Sequence, residues 1–341
     1  MKKFITINSV IFFLFLLLGF DCIVSHAQEK VVKLNYQTFD PATHWTVPLV
    51  KEWINEIDKG TDGTVKITRY DMGLLSPQGQ TYDSVVRGIV DIGESVLAYS
   101  QGRFPFMEIS DVPLGSKSAY ALGKLMNELY KKFKPKEFDD VKILYFHTNT
   151  PYVLHAKKPI SRLEDLKGLK VRASGGTAPL IKLLGATPVS MTMSETYDAL
   201  SRGVVDANWT SDVTFWTWKF ADVTKYSIQC YTTGNVTTFF VAMNKGKWNS
   251  LTPKQQKVIE EATLKLMEKN MRNWDIQEAK VIKWAKEERG VQFIVLPEEE
   301  QRRWGDKVKP LADEYVQKTK KLGLPGEEAI KFAIEYIKTH Q

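Results

Sequence analysis

Thr81-Tyr82-Asp83, followed by Arg87-Gly88-Ile89-Val90-Asp91, returns 115 residues later (196 − 81) as Thr196-Tyr197-Asp198, followed by Arg202-Gly203-Val204-Val205-Asp206. Seven positions match, and Ile89 is exchanged conservatively for Val204. Each copy reads as a helix with Arg in its last turn, a Gly at its stop and a short apolar strand after it. The repeat predicts two lobes of like construction; chance recurrence of a common helix, Gly and strand unit is the competing account.

Outward from the first copy, Val31 to Thr38 reads as a strand, Asp40 to Thr43 supplies turn and cap residues, and a helical pattern from about Trp45 to Asp58 stops at Gly60. Val65 to Tyr70 is a second strand. Around the second copy, strand-like and helical segments alternate again: Val141 to His147, Leu169 to Ala173, Ala178 to Leu184 and Ser194 to Arg202. The order places both lobes in the α/β class. Past them, Leu251-Thr252-Pro253 with Gln255 forms a capping box, and apolar residues recur up to Gly290. Unbroken, this is a helix of roughly 57 Å, long enough to span both lobes; the alternative is two helices with a break near Asn273.

The N-terminus belongs to neither lobe. Lys2 and Lys3 precede an apolar run from Val10 to Phe20, and Ser25-His26-Ala27 offers small residues to a signal peptidase, so cleavage is expected after about Ala27. The run is well short of the ~20 residues that span a bilayer. Lipid attachment at Cys22 lacks the small residues that such a site needs before it. The mature chain keeps a net positive charge and a single cysteine, Cys230, hence no internal disulfide. The expected organisation is a signal peptide over 1–27, a first lobe over 28–148 plus about 236–275, and a second lobe over 149–235 plus about 276–341.

Of the 341 residues 47 are Lys or Arg and 40 Asp or Glu, but the signs interleave and no basic stripe marks a nucleic-acid partner. There is no Gly-x-Ser-x-Gly elbow, no phosphate-cradling Gly-rich loop and no His-Glu-x-x-His helix. His44, His147, His155 and His340 show no metal-ligand spacing. An enzyme, a cofactor and a metal site are therefore not expected. Glu298 to Glu300 suit a solvated first helical turn.

Gly168-Leu169-Lys170-Val171-Arg172 alternates like a strand, with Lys170 and Arg172 on one face, and Ser174-Gly175-Gly176 and a short helix follow. Arg172 thus stands near the C-terminal end of a strand, where α/β sheets place ligands. There it either forms two parallel hydrogen bonds to a ligand carboxylate, aided by helix N–H groups beginning near Thr177, or pairs with a structural acid.

These residues, with Gly185-Ala186-Thr187-Pro188-Val189, Met191, Ser194-Glu195, Tyr197, Ala199-Leu200 and Gly203-Val204-Val205-Asp206, resemble the solute-binding proteins of tripartite ATP-independent periplasmic (TRAP) transporters, DctP type. The resemblance extends over nearly all of the mature chain. It implies a two-lobed hinged trap with crossing strands and a long helix, a monomer in the periplasm that closes over a small organic acid. It further implies a salt bridge from Arg172 to the ligand carboxylate and delivery to TRAP permease subunits driven by an ion gradient. A receptor subunit of an ATP-driven importer or sensor kinase, and an exported hydrolase, are the alternatives.

Two departures touch the pocket. Many family members follow Gly-Val-Val-Asp with Gly and a polar Glu-Asn pair; here Ala207-Asn208-Trp209-Thr210 stands instead, with the family Asn falling on Thr210. Tyr152 falls near the place of another Arg of the sialic-acid branch. Aromatic candidates are Trp209, taken as the pocket residue among them, Phe215, Phe39 and Trp45, with Trp216 and Trp218 as packing. Gln37, His44, Glu94 and Ser95 from the first lobe, and Gly175 and Met193 from the second, complete the expected ligand contacts. The expected ligand is a monocarboxylate, aromatic or hydroxylated.

Overall fold

A computed structural model describes residues 31–340, so the expected signal peptide and its cleavage at Ala27 lie outside the described residues. The strands are β1 (Val32–Gln37), β2 (Val65–Tyr70), β3 (Ile92–Val96), β4 (Val141–Thr148), β5 (Val153–Ala156), β6 (Lys170–Ala173), β7 (Thr187–Ser190), β8 (Ala207–Thr210), β9 (Tyr226–Gln229), β10 (Thr238–Asn244) and β11 (Gln292–Val295). They form two sheets, ordered β2-β1-β3-β10-β4 and β7-β6-β8-β5-β9-β11.

The two sheets share one plan. In the first, β1 lies parallel to both β2 and β3, and β10 adds antiparallel to β3. In the second, β6 lies parallel to both β7 and β8, and β5 adds antiparallel to β8. The repeat of the sequence closes each half of the plan in the same way. Gly88 and Gly203 both adopt positive φ, 74° and 73°, which their lack of a Cβ permits. Their N–H groups donate to Val85 and Leu200, and Val90 and Val205 reach back to Ser84 and Ala199. Asp91 and Asp206 then accept, at 2.9 Å each, the N–H of Asn35 in β1 and of Lys170 in β6. Chance similarity does not produce matching backbone bonds and strand partners.

The chain crosses between lobes from β4 to β5 and again from β9 to β10, because in each case consecutive strands lie in different sheets. A third connection is the helix Pro253–Arg289, 37 residues without a break at Asn273, opened by the Thr252–Gln255 capping box and stopped at Gly290 with φ 65°. Its first half bonds the first lobe, through Thr263 to Trp53 and Asn270 to Tyr145. Its second half bonds the second lobe, where Glu278 accepts the N–H groups of Asp212 and Val213.

One boundary is corrected. The last helix, Gly326–His340, was expected in the second lobe, yet Ala329, Ala333 and Ile337 bury themselves among Leu122, Leu125 and Phe138 of the first. An amphipathic pattern marks which face of a helix is buried but not what it packs on. No helix among the described residues is long and apolar enough to cross a membrane. Cys230 is buried and free.

Candidate functional site

A cleft lies between the lobes. The second lobe supplies Arg172 and Ser174, Met193, Thr210, Ser211 and the short segment Val213 to Trp218; the first supplies Phe39, Asp40, His44, Val96 and Tyr99, with Trp274 from the long helix. The crossing strands add Asn149, Tyr152, Thr237 and Phe239.

Arg172 reaches the cleft because strand parity and register put it there. It pairs with Val189 of β7 on one side and Asn208 of β8 on the other, one residue before the end of β6. The side chain is 1% exposed. Its Nε and Nη2 donate to the carbonyl of Met191 at 3.2 and 2.9 Å, while Nη1 is buried with no partner. A buried guanidinium that lacks a carboxylate is costly to hold, and an anion arriving from solution relieves that cost. Arg172 forms no ion pair with an acid among the described residues, so the structural-acid alternative fails.

Around it stand hydroxyls and flat rings. Thr210 Oγ1 and Thr237 Oγ1 are likewise buried without a partner. Tyr99 accepts the N–H of Met193 at 2.9 Å, and its hydroxyl is held above its ordinary pKa by burial, opposed by the charge of Arg172. Phe39 stacks between Phe239, centroids 5.9 Å apart at 9°, and Trp218, 6.4 Å at 20°. This wall is apolar and planar, suited to a flat ligand body.

The chain from residue 37 to 319 matches the family described as DctP, bacterial extracellular solute-binding protein, family 7. The chain belongs to this family. Among solved structures, this solute-binding protein is similar to a TRAP periplasmic solute-binding protein from Desulfovibrio salexigens, described as an open complex. The two are 31% identical, over 91% of this chain and 97% of that one, with a TM-score of 0.79. A marine metagenome TRAP protein specific for aromatic acid ligands, in complex with 3-hydroxybenzoate, is 27% identical over 92% of this chain and 99% of its own, TM-score 0.85. One from Rhodoferax ferrireducens in complex with copurified benzoate is 26% identical over 91% and 98%, TM-score 0.85.

The solute-binding protein brings five of the expected contacts to the cleft: Arg172, Thr210, Tyr152, Met193 and His44. The other five are elsewhere. Trp209 points to the opposite face of β8 from Thr210, into the second-lobe core, with Nε1 bonded to Asn235 at 3.0 Å; alternation along a strand allows only one of the two to face the ligand. Gln37 spends its amide on Leu75 and Ser76. Glu94 is taken by the hydroxyl of Tyr36 and by His147 Nε2, and Ser95 by the carbonyl of Gln78. Gly175 lines a separate cleft with Gly176, where a Cβ on Gly176 would collide with the Asp111 carboxylate. The helix after Thr177 is also too short, at Ala178–Leu183, to act as an anion site of its own.

Sequence reasoning passed over Asp40, read as a turn residue, and Trp218, read as packing. It missed Tyr99, Asn149, Thr237 and Trp274 altogether. Local pattern carried no signal for these; they converge through strand crossings more than 50 residues apart.

Proposed function

We propose that the chain is exported, captures a small organic monocarboxylate between its lobes, and delivers it chemically intact to the membrane permease of a TRAP transporter. The carrying observation is the buried, unpartnered Nη1 of Arg172 facing the cleft. A carboxylate there accepts a charge-assisted hydrogen bond and neutralises the guanidinium. Thr210 and Thr237 offer further donors to the same group, and the Phe39, Trp218 and Phe239 rings hold the body of the acid. The aromatic acids in complex with the two relatives at 26% and 27% identity support an aromatic ligand.

Capture shifts a population: the closed arrangement contacts the acid from both lobes, so the ligand favours closure. The protein acts as a periplasmic monomer, its signal peptide removed after about Ala27, and the loaded form docks on the permease. The ligand released by denaturing freshly purified protein, identified by mass spectrometry, tests this. An intact aromatic monocarboxylate is expected. A ligand without a carboxylate, or steady chemical loss of an added acid in the presence of the protein, overturns the reading.

A further inference from the structure

The cleft that Arg172 lines also carries two buried polar side chains from the first lobe, Asp40 and His44, 5% and 3% exposed, in the turn after β1. His44 Nδ1 lies 3.4 Å from Asp40 Oδ2 and 2.8 Å from Thr46 Oγ1, and accepts the N–H of Thr46 at 3.3 Å. With Nδ1 the acceptor, the ring proton belongs on Nε2, which has no hydrogen-bond partner among the described residues. The ring is clamped against Trp45 and Trp274, centroids 5.4 and 6.2 Å away, so its direction is fixed.

Burial shifts both titratable groups at this end of the cleft. Burial holds the imidazole down to about 3, an effect that Glu94 opposes and Arg69 and His147 reinforce. Burial first, then the charges of Glu94 and Asp71, push the Asp40 carboxyl well above the usual range, against the pull of Arg69 and Thr46. Arg69 does not line the cleft; its Nε is tied to Asp71 at 2.6 Å, while its Nη1 and Nη2 are buried without a partner. A second carboxylate at this end would therefore meet a carboxyl and a neutral imidazole, with no cation in the lining to receive it.

We propose that Asp40 and His44 form a hydroxyl-reading subsite, so that the ligand is a hydroxylated aromatic monocarboxylate with its hydroxyl remote from the carboxylate. The inference rests on the reading of Arg172 as the carboxylate site. A phenol can donate to the Asp40 carboxyl oxygen and accept from His44 Nε2–H, and a site built to pair a hydroxyl discriminates against the analogue that lacks it.

Calorimetry on the ligand-stripped, refolded full chain tests this with benzoate, 3-hydroxybenzoate, 4-hydroxybenzoate and isophthalate. One hydroxybenzoate is expected to bind roughly 10-fold or more tighter than benzoate, and isophthalate more weakly than either. In Asp40→Asn and His44→Phe, each checked for a native melting transition, the ratio of hydroxybenzoate to benzoate affinity should collapse to within about threefold of unity. No preference in the unaltered chain, a preference that survives in both variants, or tighter binding of isophthalate overturns the subsite. If those results come while Arg172→Ala still abolishes benzoate binding, only the subsite falls; if Arg172→Ala leaves benzoate binding unchanged, the carboxylate site falls with it.

Discussion

Gln37 and Arg172 occupy the same place in the two lobes and do opposite things. Each stands two residues beyond the strand N–H that the repeat aspartate receives, from Asn35 in β1 and from Lys170 in β6, and each is nearly or wholly buried. Gln37 is fully occupied: its Oε1 accepts from Leu75 and Ser76 at 2.7 Å each, and its Nε2 donates to Ser76 O and Thr81. Arg172 leaves Nη1 with nothing. The same strand end thus serves as a scaffold staple in one lobe and, under the proposed function, as an anion receptor in the other. The loop after the neighbouring strand meets both side chains, through Leu75 and Ser76 on Gln37 and through the Met191 carbonyl on Arg172 Nε and Nη2; what separates them is that the guanidinium has one nitrogen more than the loop satisfies.

The largest test of this difference is Arg172→Ala. Truncating one partner of a buried, hydrogen-bonded charge pair costs about 2–5 kcal/mol, so carboxylate affinity measured by calorimetry should fall on the order of 100-fold or more. Gln37→Ala should behave in the opposite way, lowering the melting temperature because it orphans two backbone N–H groups, with little change in affinity once folded. An equal loss of affinity from both substitutions would break the comparison.

Next in size is Trp218→Ala. Its ring is half-buried and extends the Phe39–Phe239 stack into the cleft, so its removal takes away a planar wall without emptying a core. A loss of about 1.5–2 kcal/mol, roughly 10- to 30-fold, is expected for an aromatic acid, and less for an aliphatic acid of similar volume.

Between lobes, Asp111 of the first packs against Gly176 of the second, and burial, reinforced by Glu108 and opposed by Lys318, pushes its carboxyl up to about 8. An open protein would expose Asp111 and return it to the ordinary carboxylate range. Closing then takes up a proton at any pH between that range and about 8. Affinity is accordingly strongest at the acid end of the window, weakens as pH rises through it, by at most about tenfold per unit, and levels off above about 8. Asp111→Asn should flatten this dependence in a titration series; a slope unchanged in that variant would assign the pH effect to another group.

The two lobes also differ in how much of them the sequence disclosed. The paired α/β architecture was legible because the repeat is local: the helix stop, the positive-φ glycine and the capturing aspartate all lie within eleven residues of chain, 81–91 and 196–206. The place of Arg172, as a polar residue near a strand end, was legible for the same reason. Trp209 was placed in the pocket because a family position was carried over without its strand parity, and parity alone decides which of Trp209 and Thr210 reaches the cleft. Tyr99 and Thr237 come to Arg172 only when the lobes and crossing strands meet, and the docking of the last helix on the first lobe is decided by a core that the helix does not itself encode.

The smallest effect is the most diagnostic. Thr210 Oγ1 is buried, lines the cleft beside Arg172 and has no partner in the protein. Thr210→Val keeps the shape and the β-branched strand preference while deleting the hydroxyl. If that hydroxyl serves the ligand, affinity falls about 2- to 10-fold, the worth of one neutral hydrogen bond. The empty protein should melt at the same or a higher temperature, since an unsatisfied buried polar atom has been removed. A purely structural threonine gives the reverse, a lower melting temperature with unaltered affinity. The two measurements therefore move in opposite directions under the two accounts. Ser95, at the equivalent place in β3 and already bonded to Gln78 O at 3.1 Å, supplies the control: Ser95→Ala should lower stability and leave affinity alone.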